Sequence, residues 1–255
     1  RRAGPSRASR ADHAVADPAG LGGDGHSVTE ETIVLDGVSH AFGERTVLRD
    51  ITLTIGERRV GIVGANGSGK STLARLFNGL VIPDTGVVRV RGLDTRRSVK
   101  QVRRLVGFVF TDPDRQILMP TVGEDVELSL SRLSMDRAAK TARVAEVLER
   151  FGLSGHADQP ARLLSGGQKQ LLALATVLVT EPAVVVADEP TTLLDLRNAR
   201  MLRAAFADLD TQLIVVTHDL DLIQDADRVI VLDEGRVVAD DAPTAALAVY
   251  RRLMG

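Results

Sequence analysis

The pattern of hydrophobic and polar positions changes once, near residue 32. Residues 1–31 are rich in Arg, Ala, Gly, Ser and Asp with little periodic hydrophobicity, so a disordered N-terminal tail is expected there. Arg1, Arg2, Arg7 and Arg10 would suit a transit peptide, but Asp12, Asp17 and Asp24 interrupt the basic pattern and no apolar signal core follows. From Thr32 onward, short apolar runs at 32–38, 47–55, 59–63, 87–91, 106–110, 183–187, 212–217 and 229–232 predict strands. Helical spacing at 70–78, 122–133, 136–151, 166–178, 196–208 and 244–253 predicts helices. Strands that alternate with helices imply an α/β fold with a mostly parallel sheet covered on both faces. Between about 113 and 180 the pattern is helical only, so a helical subdomain is expected there, inserted between two core strands of a domain spanning 32–255.

Composition narrows the functional classes. The chain has 255 residues, 44% hydrophobic and 26% charged, enough for a well-buried core. Its formal charge of -2 gives no basic field for nucleic acid, and no nucleic-acid partner is expected. Without cysteine there are no disulfides and no thiolate metal sites. The longest largely apolar run, 171–179, is well short of the ~18 residues that a membrane span needs.

Two segments carry anion chemistry. Gly64-Ala65-Asn66-Gly67-Ser68-Gly69-Lys70-Ser71-Thr72 follows an apolar strand and opens a helix, the context of a phosphate-binding loop. Its glycines let several backbone N–H groups approach phosphate oxygens, and the positive end of the helix faces the same anion. Lys70 is expected on the β and γ phosphates, with the Ser71 hydroxyl on Mg²⁺. The run Ala183-Val184-Val185-Val186-Ala187 reads as a fully buried strand and ends in Asp188-Glu189. At the carboxyl end of such a strand, Asp188 would hold Mg²⁺ through water and Glu189 would polarise the attacking water.

Leu164-Ser165-Gly166-Gly167-Gln168, extended by Lys169-Gln170, resembles the signature motif of ATP-binding cassette (ABC) proteins. Other motifs follow in that family's order. Phe42 resembles the aromatic on which adenine stacks, a contact worth roughly 1–3 kcal/mol per base; an ordinary strand phenylalanine is the other reading. Thr192-Leu193-Leu194-Asp195 looks like the loop joining two nucleotide sites, with Leu193 bulkier than usual. His218 matches the histidine that contacts the γ-phosphate, while His13, His26, His40 and His156 stay unassigned. The resemblance implies a P-loop NTPase with an added antiparallel β part. It implies ATP and Mg²⁺ held between two protomers, a copy of this chain or a close paralogue. Each ATP then lies between one phosphate loop and the partner's Ser165–Gln168. It further implies transmembrane subunits moved by that cycle, with helices in the groove beside the helical subdomain, and a peripheral place on the cytoplasmic face of the cell membrane.

The stretch from Val109 to Val126, with its Pro-Asp-x-Gln, Pro-Thr-Val and Glu-Asp-Val elements, resembles energy-coupling-factor and cobalt-type ATPases, which import vitamins or transition-metal ions. Within that group it looks most like the biotin-type ATPases. Another transporter class, or a soluble regulatory or repair cassette, is the alternative. One departure stands out: Thr111 occupies the place of a glutamine that reaches Mg²⁺ and the attacking water. A hydroxyl on a shorter side chain is expected to act through a bridging water or after inward movement of its loop. The alternative is a plain strand-end residue before Pro113.

Overall fold

In a computed structural model the described residues are 32–192 and 194–255. The expected tail at 1–31 and the bulky Leu193 lie outside them. The elements run β1 (Ile33–Phe42), β2 (Arg45–Ile55), β3 (Arg59–Gly64), α1 (Lys70–Phe77), β4 (Thr85–Val90), β5 (Leu93–Asp94), α2 (Val99–Leu105) and β6 (Val106–Val109). They continue through α3 (Val122–Ser129), α4 (Arg137–Arg150), α5 (Gly166–Leu178), β7 (Val184–Asp188), α6 (Leu196–Ala207), β8 (Gln212–Val216), β9 (Arg228–Asp233), β10 (Arg236–Asp241) and α7 (Pro243–Met254).

Two sheets form. An antiparallel sheet has the order β2-β1-β4-β5, and a six-stranded sheet has the order β10-β9-β3-β8-β7-β6. In the larger sheet β9, β3, β8, β7 and β6 are parallel and only the edge strand β10 is antiparallel. Period-two alternation feeds both of its faces. Val184, Val186, Ile214, Val216, Ile230 and Leu232 pack with α1 and the antiparallel sheet. Val185, Ala187, Leu213, Val215, Val229 and Val231 pack with the helices on the other side. This double burial is why β7 reads as an unbroken apolar run.

β6 pairs in parallel with β7, although all of α3, α4 and α5 lie between them in the chain. The insertion has no core of its own. α5 is buried almost all round, and it joins Val126, Leu148 and Phe151 to the sheet residues Val185 and Val215 in one cluster. β5, α2 and β10 were not expected from the sequence. The helix expected at 122–133 ends at Ser129 and passes into a 3-10 turn, Leu130–Arg132.

Candidate nucleotide site

The carboxyl ends of β3, β8 and β7 lie side by side, because Ile62 is paired with Val216 and Val216 with Asp188. Functional residues in parallel sheets collect at this edge. From β3 the chain turns through 65–69 into α1. Glycine is required at two points of this turn. A Cβ on Gly64 would sit 2.1 Å from the Leu232 carbonyl oxygen, and Gly69 has φ 104° with Val47 and Leu48 at 2.8 Å from such a Cβ. The Ser68 hydroxyl is buried and without a hydrogen-bond partner. Lys70 is buried, and its ammonium donates to the carbonyls of Gly64 (2.8 Å) and Ala65 (2.9 Å). Burial lowers the Lys70 pKa, while Glu189 and Asp188 oppose that shift.

Ser71 Oγ donates to Asp188 Oδ1 at 2.8 Å. Asp188 Oδ2 has no hydrogen-bond partner, with the Arg75 guanidinium 3.6 Å away as its charge partner. Burial raises the Asp188 pKa; the Ser71 hydrogen bond and Arg75 offset part of that. One carboxylate beside one hydroxyl, with a buried oxygen to spare, fits Mg²⁺ arriving with a nucleotide, since that ion takes most other ligands from phosphates and water. Among the described residues no group of three or more His, Cys, Asp or Glu could hold a metal without such help.

Glu189 follows with φ 51°, a left-handed backbone unusual for a non-glycine residue. Its N–H donates to Val216 O at 2.8 Å. Its Oε2 lies 2.7 Å from His218 Nδ1 and accepts from the His218 N–H at 3.3 Å. Thr111 Oγ1 donates to the Asp188 backbone carbonyl at 2.9 Å. The hydroxyl is therefore engaged by the main chain that carries the two acids. A water bridge from Thr111 to Mg²⁺ would start from this backbone-bonded position.

Phe42 ends β1 with 55% of its surface exposed and stacks edge-on to His40. It pairs with Arg45 across the hairpin, and the Arg45 guanidinium lies 3.4 Å from where a Gly67 Cβ would be. The hairpin tip therefore lies beside the phosphate loop.

The remaining expected residues form a second group. Ser165 caps α5: its Oγ accepts from Gln168 N (3.2 Å) while Gln168 Oε1 accepts from Ser165 N (2.9 Å). This reciprocal capping box satisfies two donors at the helix start. Gly166 is exposed and Gly167 is buried, with Asn198 2.2 Å from where its Cβ would be. Asp195 caps α6 by accepting from Asn198 N at 2.8 Å. Ser165, Gln168, Asp195 and Asn198 line one hollow of about 410 Å³. Among the described residues no hydrogen bond or ion pair joins this group to the phosphate loop, Asp188, Glu189 or His218. A hollow of similar size is lined by Arg59, Arg203, Val215 and Ile223 and includes none of the residues of either group.

Sequence reasoning missed several supporting residues. Arg75 is one. Gln116, from the Pro-Asp-x-Gln element, accepts from Phe110 N (3.2 Å) and donates to Ala173 O (2.8 Å). Asp114 pairs with Lys169 at 2.6 Å. Asp125, whose pKa is raised by burial, accepts the N–H groups of Leu118 (2.7 Å) and Met119 (2.9 Å). These motif residues brace α5 and the loop beside it.

Fold and site together define a P-loop nucleotide-binding cassette. The ABC transporter family profile matches residues 48–192. A putative ABC transporter ATP-binding protein of Deinococcus radiodurans is 55% identical over 222 residues, covering 87% of this chain and 98% of the relative. The biotin transport ATP-binding protein BioM of Rhizobium etli is 46% identical over 213 residues, covering 84% of this chain and 95% of BioM. Two solved structures superpose with TM-scores of 0.75 at 31% identity. One is cbiO1 of Clostridium perfringens, part of the ABC transporter complex cbiONQ, covering 87% of this chain and 93% of that one. The other is a dimeric post-hydrolysis state of the cassette MJ0796 bound to ADP and Pi, covering 83% and 98%. The chain belongs to the ABC transporter family, as one of its ATP-using, ATP-hydrolysing subunits. No helix among the described residues is long and apolar enough to cross a membrane.

Proposed function

We propose that this chain powers an energy-coupling-factor-type importer for a vitamin, biotin first, or for a transition-metal ion. It would act at the cytoplasmic face of the membrane, with a second cassette and transmembrane subunits. The observation that carries the two-cassette part of this reading is the separation, on one chain, of two surfaces suited to phosphate. One is a buried cradle at the sheet edge; the other is the exposed cap at Ser165. Each fits half of a site that a second cassette completes. The names of BioM and of the cbiONQ subunit support the transport class.

The roles follow from the groups available. Gly64, Ala65, Asn66, Gly67, Ser68, Gly69 and Thr72 would line the phosphates, and Phe42 would stack on adenine. Lys70 would exchange its two carbonyl partners for phosphate oxygens. Ser71 and Asp188 would hold Mg²⁺, which when bound neutralises charge on the β and γ phosphates. Glu189 accepts a proton from the attacking water, with His218 hydrogen-bonded to its Oε2. Ser165, Gly166, Gly167 and Gln168 would face the partner's γ-phosphate, and Asp195 would link the two sites.

Two measurements test this. Glu189→Gln, which cannot accept the proton, should lower turnover about 10²–10⁴-fold at unchanged ATP affinity; turnover near the parent rate refutes the base. The tagged full chain, purified from detergent-solubilised membranes, should bring down integral membrane subunits. Recovery of the chain alone, as a fully active soluble ATPase, would reject the importer.

A further inference from the structure

We propose that His156 is a positioning residue for the Ser165–Gln168 cap and ties that cap to the start of α3. The inference rests on the reading that the cap serves the nucleotide of a second cassette. Ser165 is exposed; its hydroxyl is held by the Gln168 backbone N–H, and what remains to be fixed is its own N–H. The Gln168 side chain fixes it, because its Oε1 accepts the Ser165 N–H at 2.9 Å. That contact decides which end of the amide is oxygen and which is nitrogen. The amide nitrogen then lies 3.1 Å from His156 Nε2. An amide NH₂ only donates, so Nε2 must accept and the ring proton sits on Nδ1. His156 Nδ1 in turn meets Gln159 Oε1, a carbonyl that only accepts. Each donor has an acceptor in the run Ser165–Gln168–His156–Gln159 when the half-buried ring takes this one tautomer.

The run continues into backbone. Gln159 O accepts from Val122 N (3.1 Å), Ala157 O from Gly123 N (2.8 Å), and Pro120 O from Ala161 N (2.9 Å). Thr121 and Pro160 form an isolated antiparallel bridge. A Cβ on Gly123 would stand only 3.2 Å from the Ala157 oxygen, so the first turn of α3 lies hard against this strap. Pro120 and Thr121 also line a surface hollow of about 320 Å³ with Leu118, Ala161 and Arg162. These contacts join the first turn of α3 to residues 157–161, and through the ring of His156 to the amide that holds the Ser165 N–H.

The test uses the full chain carrying Glu189→Gln to retain ATP. ATP-driven dimerisation is measured by sedimentation, and nucleotide affinity of the monomer with a fluorescent ATP analogue. His156→Leu should weaken dimerisation about tenfold, the scale of one lost hydrogen bond per cap. Monomer affinity should stay within about twofold, because the phosphate loop is untouched. His156→Gln, which offers one acceptor and one donor, should recover most of the loss. Gln159→Leu, which leaves Gln168 in place but frees the ring, should weaken dimerisation about threefold. Parent-like dimerisation in both leucine variants overturns the proposal. So does a His156→Gln variant that dimerises no better than His156→Leu, since the ring would then act by packing alone. Ser165→Arg is the control. If it dimerises like the parent, the cap reading fails on its own, whatever His156 does.

Discussion

The two regions proposed to face phosphate are built on opposite physical terms. The cradle at the sheet edge is made of groups that cannot move far. Lys70 and Asp188 are 7% and 1% exposed, Gly64 and Gly69 are wedged against other strands, and Glu189 is held at φ 51°. The cap at Ser165 is exposed and held by hydrogen bonds three residues apart, with one histidine behind it. The cradle carries the cost: a desolvated carboxylate, a buried hydroxyl without a partner and a left-handed glutamate. Such costs are tolerated where preorganisation serves binding and chemistry. The cap carries almost none, which suits the proposal that this surface meets and leaves another protomer.

The largest effects should separate the halves. Lys70→Ala should abolish detectable nucleotide binding by the monomer, because it removes the one buried Lys or Arg among the described residues, which is proposed to take the phosphates. Ser165→Arg should leave monomer binding within about twofold, while turnover in the assembled complex falls about 100-fold or more, as a large cation fills the partner's phosphate space. Titration with a fluorescent nucleotide, alongside phosphate release, reads both. Equal loss of monomer binding in the two variants would break the comparison.

A smaller effect tests the cost of preorganisation. The Asp188 carboxyl is held above its ordinary pKa by burial. The ionised form is thus the one that destabilises the nucleotide-free fold. That penalty is full above the raised folded pKa, shrinks as pH falls through it, and vanishes below the unfolded value. Asp188→Asn should raise the melting temperature of the nucleotide-free chain at neutral pH, on the order of 3 °C. It should also flatten its rise on mild acidification and lose Mg²⁺-dependent turnover. A lower melting temperature at neutral pH would mean that Ser71 and Arg75 already compensate the charge in full.

What the sequence made legible follows the same division. The cradle is local: strand, glycine turn and helix are contiguous, and a doubly buried strand shows as the apolar run before Asp188. The elements that escaped have weak patterns. α2 buries only Val102 among lysine and arginine, and β10 is a short edge strand ending in two aspartates. Long-range contacts left no periodic trace. Thr111 and Asp188 are 77 residues apart, and Gln116 reaches Ala173 from 57 residues away. The Pro-Asp-x-Gln element is visible as a resemblance, but its work, bracing the inner helix, is set by contacts distant in sequence. His156 carries no signal in the sequence, because its partner Gln168 lies across a loop, with no spacing rule to join them.

The smallest effect concerns the peptide between Asp188 and Glu189. Both of its polar ends are clamped: the Asp188 carbonyl accepts from Thr111 Oγ1 at 2.9 Å, and the Glu189 N–H donates to Val216 O at 2.8 Å. The clamp lies next to the left-handed φ of Glu189, a conformation that costs on the order of 1–3 kcal/mol and persists only when its surroundings over-determine it. Thr111→Val keeps the shape and removes one side of the clamp, at roughly 1 kcal/mol for a hydrogen bond. Released there, Glu189 spends less time aimed at the attacking water, while the phosphate contacts persist. Turnover in the assembled complex should therefore fall about threefold to tenfold, with ATP affinity and Mg²⁺ dependence nearly unchanged. Thr111→Ser, which keeps the donor, should recover most of the rate. A hydroxyl acting on the metal would instead shift the Mg²⁺ dependence of Thr111→Val, and that shift would transfer Thr111 from the backbone clamp to the metal site.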